Sequence, residues 1–181
     1  MRGLRISATF FINKEENMEK YIFLDIDGVL NNEKYTIECY KKWHRTTPFI
    51  CDAMPFDPSS LEQLAYLCNY IRSKGDKPYV ILSSSWRLHD TDKEVAAARL
   101  EEYNIQIRDI TSKDMRLKRG QQIKEYLDKL EQPVDFVIID DEKFDIEKYF
   151  LDELVLVNPQ YGFTSKEKTK AKEILYQMIE F

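Results

Sequence analysis

Tyr21-Ile22-Phe23-Leu24-Asp25-Ile26-Asp27-Gly28-Val29-Leu30 is the stretch on which the reading of this chain turns. Its first four residues are apolar or aromatic without a break, the pattern of a strand buried on both faces inside a parallel sheet. The run stops at two carboxylates separated by one residue, and a glycine follows. Residues two apart on an extended chain point the same way, so Asp25 and Asp27 leave the strand on a common side. There they can serve one metal ion or one reacting group. Carboxylates at the end of a buried strand are costly to desolvate unless something cationic meets them. Gly28 lets the backbone turn sharply or approach a ligand closely. Asp-Gly is also an ordinary turn dipeptide, and this stretch by itself reads equally well as a strand closed by an Asp-rich turn.

Length and composition narrow the field. With 181 residues, 43% of them apolar and 33% charged, the chain is read as globular and large enough to bury a proper core. A net charge of −5 argues against a strongly basic nucleic-acid surface, though a local basic patch is compatible with it. No apolar run approaches the about 18 residues that a bilayer span needs, so no membrane partner is expected. Cys39, Cys51 and Cys68 are widely spaced and form no C-x-x-C pair, which fits reduced thiols in a cytoplasmic protein. Residues 1–17 read as an N-terminal extension, either dispensable ahead of a true start at Met18 or holding an extra edge strand over Ile6–Ile12.

Working outward from the first strand, residues 31–57 lack clear periodicity and are rich in aromatic and basic side chains, among them Tyr40, Lys41, Lys42, Trp43 and Arg45. This insert is expected to be an ordered flap or small cap beside the Asp pair, since long irregular segments in compact domains are functional or disordered. Asp57-Pro58-Ser59-Ser60-Leu61-Glu62 then signals a helix start, with Pro58 in the first turn and a Ser59/Glu62 capping box, and Lys74-Gly75 closes it. Pro78–Ser83 predicts a second buried strand, Thr91–Tyr103 a helix, Ile105–Ile107 a short third strand and Gly120–Leu130 an amphipathic helix. Pro133–Ile139 predicts a fourth strand and Leu154–Val157 a fifth. Thr164–Glu180 predicts a closing helix opened by a Thr164/Glu167 capping box.

Strands alternating with helices imply an α/β fold, a Rossmann-like three-layer sandwich with a mostly parallel five-stranded sheet. In such sheets ligands bind beyond the carboxyl ends of the strands, where the strand order reverses. Three of the expected strands end in polar residues at that edge: Asp25 with Asp27, Ser83-Ser84-Ser85, and Asp140-Asp141. Carboxylates gathered there would repel one another, and a hard divalent cation resolves the repulsion, so magnesium is the expected cofactor. Two histidines and no H-E-x-x-H leave no basis for a histidine-rich zinc site. Neither a P-loop nor a G-x-G-x-x-G turn occurs. Magnesium, carboxylates and anion donors together point to phosphate chemistry, in which a carboxylate can itself attack phosphorus.

Asp25-Ile26-Asp27-Gly28-Val29-Leu30 resembles the first motif of the haloacid dehalogenase (HAD) superfamily, of the D-x-D-G type found in its phosphotransferases. Ser83-Ser84-Ser85-Trp86-Arg87 resembles the second motif and Ile138-Ile139-Asp140-Asp141-Glu142 the fourth. Ser85-Trp86-Arg87, Arg119-Gly120-x-x-Ile123 and Asn158-x-x-x-Gly162-Phe163-Thr164 look closest to the small HAD domains associated with RNA-repair proteins. The resemblance implies a phosphatase in which Asp25 attacks phosphorus and Asp27 first protonates the leaving oxygen and then activates water. It implies magnesium bridging Asp25, the backbone carbonyl of Asp27 and Asp141, with Asp140 in support. Ser84, with Ser83 and Ser85 as alternatives, and Gly28 are the expected contacts to the phosphate. Among Lys113, Arg116, Lys118 and Arg119, Arg119 is the expected third-motif cation because it directly precedes the helix. Arg87 is a second expected phosphate clamp, since a guanidinium fork suits phosphate oxygens. Trp86 reads as a packing residue, His44 and His89 carry no expected role, and Tyr40–Arg45 reads as the buried side of the flap rather than a base-stacking surface.

The expected substrate is a phosphorylated small molecule or a nucleic-acid end. Two other readings stay open: a non-catalytic phosphate- or partner-binding module on the same fold, and a phosphotransferase to an acceptor alcohol. No oligomeric state follows from the sequence.

Overall fold

In the computed structural model, which describes residues 18–43 and 55–177, β1 (Glu19–Leu24) lies at the centre of a five-stranded sheet. It pairs in parallel with β2 (Lys77–Leu82), from Glu19↔Lys77 to Leu24↔Leu82. On its other edge it pairs in parallel with β4 (Asp135–Asp140), from Lys20↔Asp135 to Leu24↔Ile139. The outer strands, β3 (Ile107–Ile110) and β5 (Leu154–Leu156), complete the order β3-β2-β1-β4-β5, again in parallel. Five helices accompany the strands: α1 (Glu33–Trp43), α2 (Pro58–Ser73), α3 (Asp90–Glu101), α4 (Arg119–Leu127) and α5 (Ser165–Tyr176).

The unbroken apolar run of β1 is explained by cover on both faces. Ile22 and Leu24 pack with Leu64, Leu67 and Ile71 of α2, Leu100 of α3 and Leu175 of α5. Tyr21 and Phe23, pointing the other way, pack with Ile123 and Tyr126 of α4 and with Ile146. Three layers result. From β1 the chain moves outward through β2 and β3, then returns to lay β4 against the free edge of β1. The strand order therefore reverses between β1 and β4, so the turns that follow them lie side by side at the carboxyl edge.

Several local expectations are corrected. The helix at 57 is capped by Asp57 rather than by a Ser59/Glu62 box: Asp57 is extended and its carboxylate accepts the Ser59 amide at 2.9 Å. Pro58 at the first helical position fixes that register. The third strand runs over Ile107–Ile110 rather than Ile105–Ile107; as an edge strand it carries exposed Arg108 and Asp109, which break the apolar signal. The insert after β1 is not irregular throughout, since α1 occupies Glu33–Trp43. Its first turn is held through backbone bonds, Glu33 N–H to Pro159 C=O at 3.0 Å and Lys34 N–H to Gln160 C=O at 3.2 Å. Ile37 lies on its exposed side. The remainder of the insert, 44–54, and the readings of 1–17 and of Cys51 fall outside the described residues. The Thr164/Glu167 capping box is present, with Glu167 accepting the Thr164 amide at 3.1 Å. Cys68 is buried, which pushes its thiol up to about 12 and leaves it an unreactive packing group. Among the described residues no helix is long and apolar enough to cross a membrane.

Phe23 is fully buried and makes edge-to-face contacts with Tyr126 and Phe136 at 5.5 and 5.9 Å. Phe23→Ala is expected to cost about 3–5 kcal/mol, read as a lowered midpoint in urea denaturation.

Candidate active site

The parallel pairing of β1 and β4 brings three carboxylates together. Oxygens of Asp25, Asp140 and Asp141 all lie within 4.8 Å of one another. The Asp27 side chain stands outside that group. Asp25 and Asp140 are buried, and Asp141 is half-buried. Burial raises the pKa of Asp25 above the ordinary carboxylate range, against the pull of Arg119 and of hydrogen bonds from Ser84 and the Ile26 amide. Burial, joined by the charge of Asp25, likewise raises Asp140. The same two causes, with Glu142, lift Asp141 to about 6.

Among the described residues, one cation answers the cluster. Arg119, at the start of α4, brings Nη1 to 2.6 Å from Asp140 Oδ2 and 3.1 Å from Asp25 Oδ1. Burial disfavours its charge, but the two carboxylates more than reverse that and raise its pKa. Two of the other loop cations turn elsewhere: Arg116 pairs with Asp114 at 2.7 Å and Lys113 with Asp90 at 3.6 Å. Asp140 Oδ1 accepts the Glu142 amide at 2.9 Å, so both its oxygens are engaged, whereas Asp25 Oδ1 is buried and meets Arg119 as an ion pair outside hydrogen-bond geometry.

Arg87 is not a phosphate clamp here. Its guanidinium donates to Ser83 C=O (2.9 Å), Ser84 C=O (2.7 Å), Gln122 Oε1 (2.6 Å) and twice to Ser112 C=O (3.0 and 3.1 Å). Arginine has five N–H donors, and all are spent inside the protein. Arg87 is 3% exposed, and burial lowers its pKa to about 10, with the Arg119 charge adding to the effect. It ties the turn after β2 to the segment after β3 and to α4. Ser84 is buried beside Asp25, Ser83 is buried with its hydroxyl unpartnered, and Ser85 is exposed at the start of a short 3-10 turn (Ser85–Leu88).

Gly28 is the hinge between the first and fourth motifs. Its φ is +70°, and a Cβ there would fall 2.2 Å from Asp141 Oδ2. Only a glycine allows the turn and the close approach together. Four further residues take part that the sequence reading does not single out. Asp145 accepts the Gly120 amide at 2.8 Å and so holds the start of α4. Gln122 is buried and bridges Arg87 to the carbonyls of Asp114 and Leu117. Phe144, with φ +41° and more than half exposed, lies 5.0 Å from the Arg119 guanidinium. Asn31 donates to Asp27 Oδ1 at 2.9 Å. Of the four, Asn31 alone carries a local signal, lying four residues from Asp27.

A family model for the HAD domain in Swiss Army Knife RNA repair proteins matches residues 21–167. The chain belongs to this family. No curated protein and no solved structure gives a significant match to it. Membership places this HAD domain among phosphohydrolase-type proteins, and its acidic group can be tested for a metal. The fit is good: among the described residues three carboxylates face one cation, and the buried Asp25 Oδ1 meets it without hydrogen-bond geometry. A divalent ion would neutralise what Arg119 leaves unpaired, and oxygen ligands suit magnesium.

A folded-state pKa raised above the ordinary 3.8 means that the HAD domain holds a proton which the unfolded chain has already released. That destabilisation is absent below the unfolded value and complete above the folded one. In EDTA the melting temperature is therefore expected to fall as pH rises from about 4 to 7, and Asp141→Asn flattens the slope. Added magnesium is expected to replace the protons and restore the loss at neutral pH. Arg87→Lys, which forfeits most of the five bonds, is expected to lower stability by about 2–4 kcal/mol in urea denaturation.

Proposed function

We propose that this HAD domain is a magnesium-dependent phosphohydrolase that cleaves a phosphomonoester through an aspartyl-phosphate on Asp25. The observation that carries the reading is the Asp25–Asp140–Asp141 group, bridged at Asp25 and Asp140 by one Arg119 nitrogen at the switch point of the sheet. Asp25, the Asp27 backbone carbonyl and Asp141 would hold the magnesium, with Asp140 fixing Arg119 and supporting the group. The bound ion supplies charge neutralisation at the phosphoryl oxygens.

The chain's own residues account for the rest. A carboxylate oxygen of Asp25 forms a bond to phosphorus as the ester P–O bond breaks, and Asp27 gives its proton to the departing oxygen. Asp27 then takes a proton from a water molecule, whose oxygen bonds to phosphorus and releases Asp25. Arg119 steadies Asp25 and the phosphoryl oxygens, and Ser84 and the Gly28 turn contact the phosphate. The family's link to RNA repair supports a nucleic-acid end, such as a 3′-phosphate, as the substrate. A cytoplasmic setting accords with that role.

The test is phosphate release with magnesium or EDTA from p-nitrophenyl phosphate, mononucleotides, and RNA and DNA oligomers ending in 3′- or 5′-phosphates. Magnesium-dependent release, reduced by about 10³-fold or more in Asp25→Asn, is the expected result. Release that survives Asp25→Asn would refute the nucleophile, and folded protein inert on the whole panel would favour a binding module.

A further inference from the structure

Trp86 does more than pack. Its indole Nε1 donates to both oxygens of Asp27, at 3.0 Å to Oδ1 and 3.1 Å to Oδ2. A tryptophan placed for bulk alone has no need to aim its N–H at an acidic side chain 59 positions away. The ring is braced edge-to-face by Phe56 at 5.3 Å. Its backbone belongs to the 3-10 turn that follows Ser83 and Ser84, whose carbonyls Arg87 grips.

We infer that Trp86 is the positioning residue for Asp27, orienting its carboxylate so that Oδ2 carries the transferred proton. The inference rests on the reading of Asp27 as general acid and base. Asp27 Oδ1 receives two donors, Trp86 Nε1 and Asn31 Nδ2, which fill both of its lone pairs. Oδ2 receives only the shared indole N–H among the described residues, so a lone pair is left for a proton. An indole is a donor with no acceptor and no titration in the working range, so it orients the carboxylate without competing for that proton. In the chemical step the proton on Oδ2 passes to the leaving oxygen as the P–O bond breaks, and the carboxylate stays held by the same two donors.

Two measurements on the full chain with magnesium test this. The first needs no turnover: the indole ¹H–¹⁵N resonance of Trp86 is expected to shift upfield in Asp27→Ala. An unmoved Trp86 resonance overturns the proposal. The second compares kcat/KM for p-nitrophenyl phosphate, whose phenolate departs without a proton, with β-glycerophosphate, whose alkoxide needs one. Trp86→Phe is expected to lower the β-glycerophosphate value about 100-fold and the p-nitrophenyl phosphate value less than about threefold. Benzothienylalanine at 86, which keeps the ring shape and lacks the N–H, should behave as Trp86→Phe does. Equal losses on both substrates, or full activity with the sulfur analogue, would reduce Trp86 to a packing role. No magnesium-dependent release by the unsubstituted chain from either ester, with the resonance shift present, would instead fault the phosphatase reading and leave the hydrogen bond standing.

Discussion

The electrostatic demand of three clustered carboxylates shapes everything at the carboxyl edge of this sheet. Asp25, Asp140 and Asp141 lie within 4.8 Å of one another, with the first two buried. Left to themselves they would protonate or drive the strands apart. Arg119 supplies one positive charge at 3.1 and 2.6 Å, too little for three ionised groups, and the remainder is charge that a divalent ion could neutralise. The sheet meets the mechanical side of that demand. Because β1 and β4 are hydrogen-bonded neighbours, the turns after them deliver their acids to one place, and Asp145 fixes the start of α4 where Arg119 is needed.

A second hub makes the first one rigid. Arg87 spends all five donors on the turn after β2, the segment after β3 and Gln122 of α4. The turn so held carries Ser84 toward Asp25 and Trp86 toward Asp27. Arginine serves well here because a planar fork satisfies several carbonyls at once with little further entropy loss. Two guanidiniums thus divide the work at this edge: Arg119 meets the charge, and Arg87 sets the geometry.

Much of the architecture is legible in the residues. β1, β2 and β4 stand out as short apolar runs covered on both sides, β5 as a short apolar run at the far edge, α2 by its first-turn proline and apolar spacing, and α5 by its capping box. β3 is harder to place, because an edge strand can tolerate Arg108 and Asp109, which erase the periodic signal. α1 is also harder to place, since its first turn is held by backbone bonds to Pro159 and Gln160 rather than by a recognisable cap. Within the site, Asp25, Asp27 and the Asp140-Asp141 pair are conspicuous because acids that end apolar strands need a reason. Arg87 is where residue type misleads. A guanidinium can bind phosphate, and only its surroundings say whether any donor is left to do so.

The sequence by itself determined the strand–helix alternation, the acids at the strand ends and the Gly28 turn, since these depend on neighbours within a few positions. Tertiary structure decided how Arg119, the cation expected from its place before the helix, is shared between Asp25 and Asp140, what Arg87 holds, and that an indole from the turn after β2 faces Asp27. Those choices involve partners 21 to 94 positions apart, from Arg119–Asp140 to Arg119–Asp25. Local chain preferences carry no record of such pairings; they exist only once β1, β2 and β4 lie side by side and bury the groups that must then be satisfied.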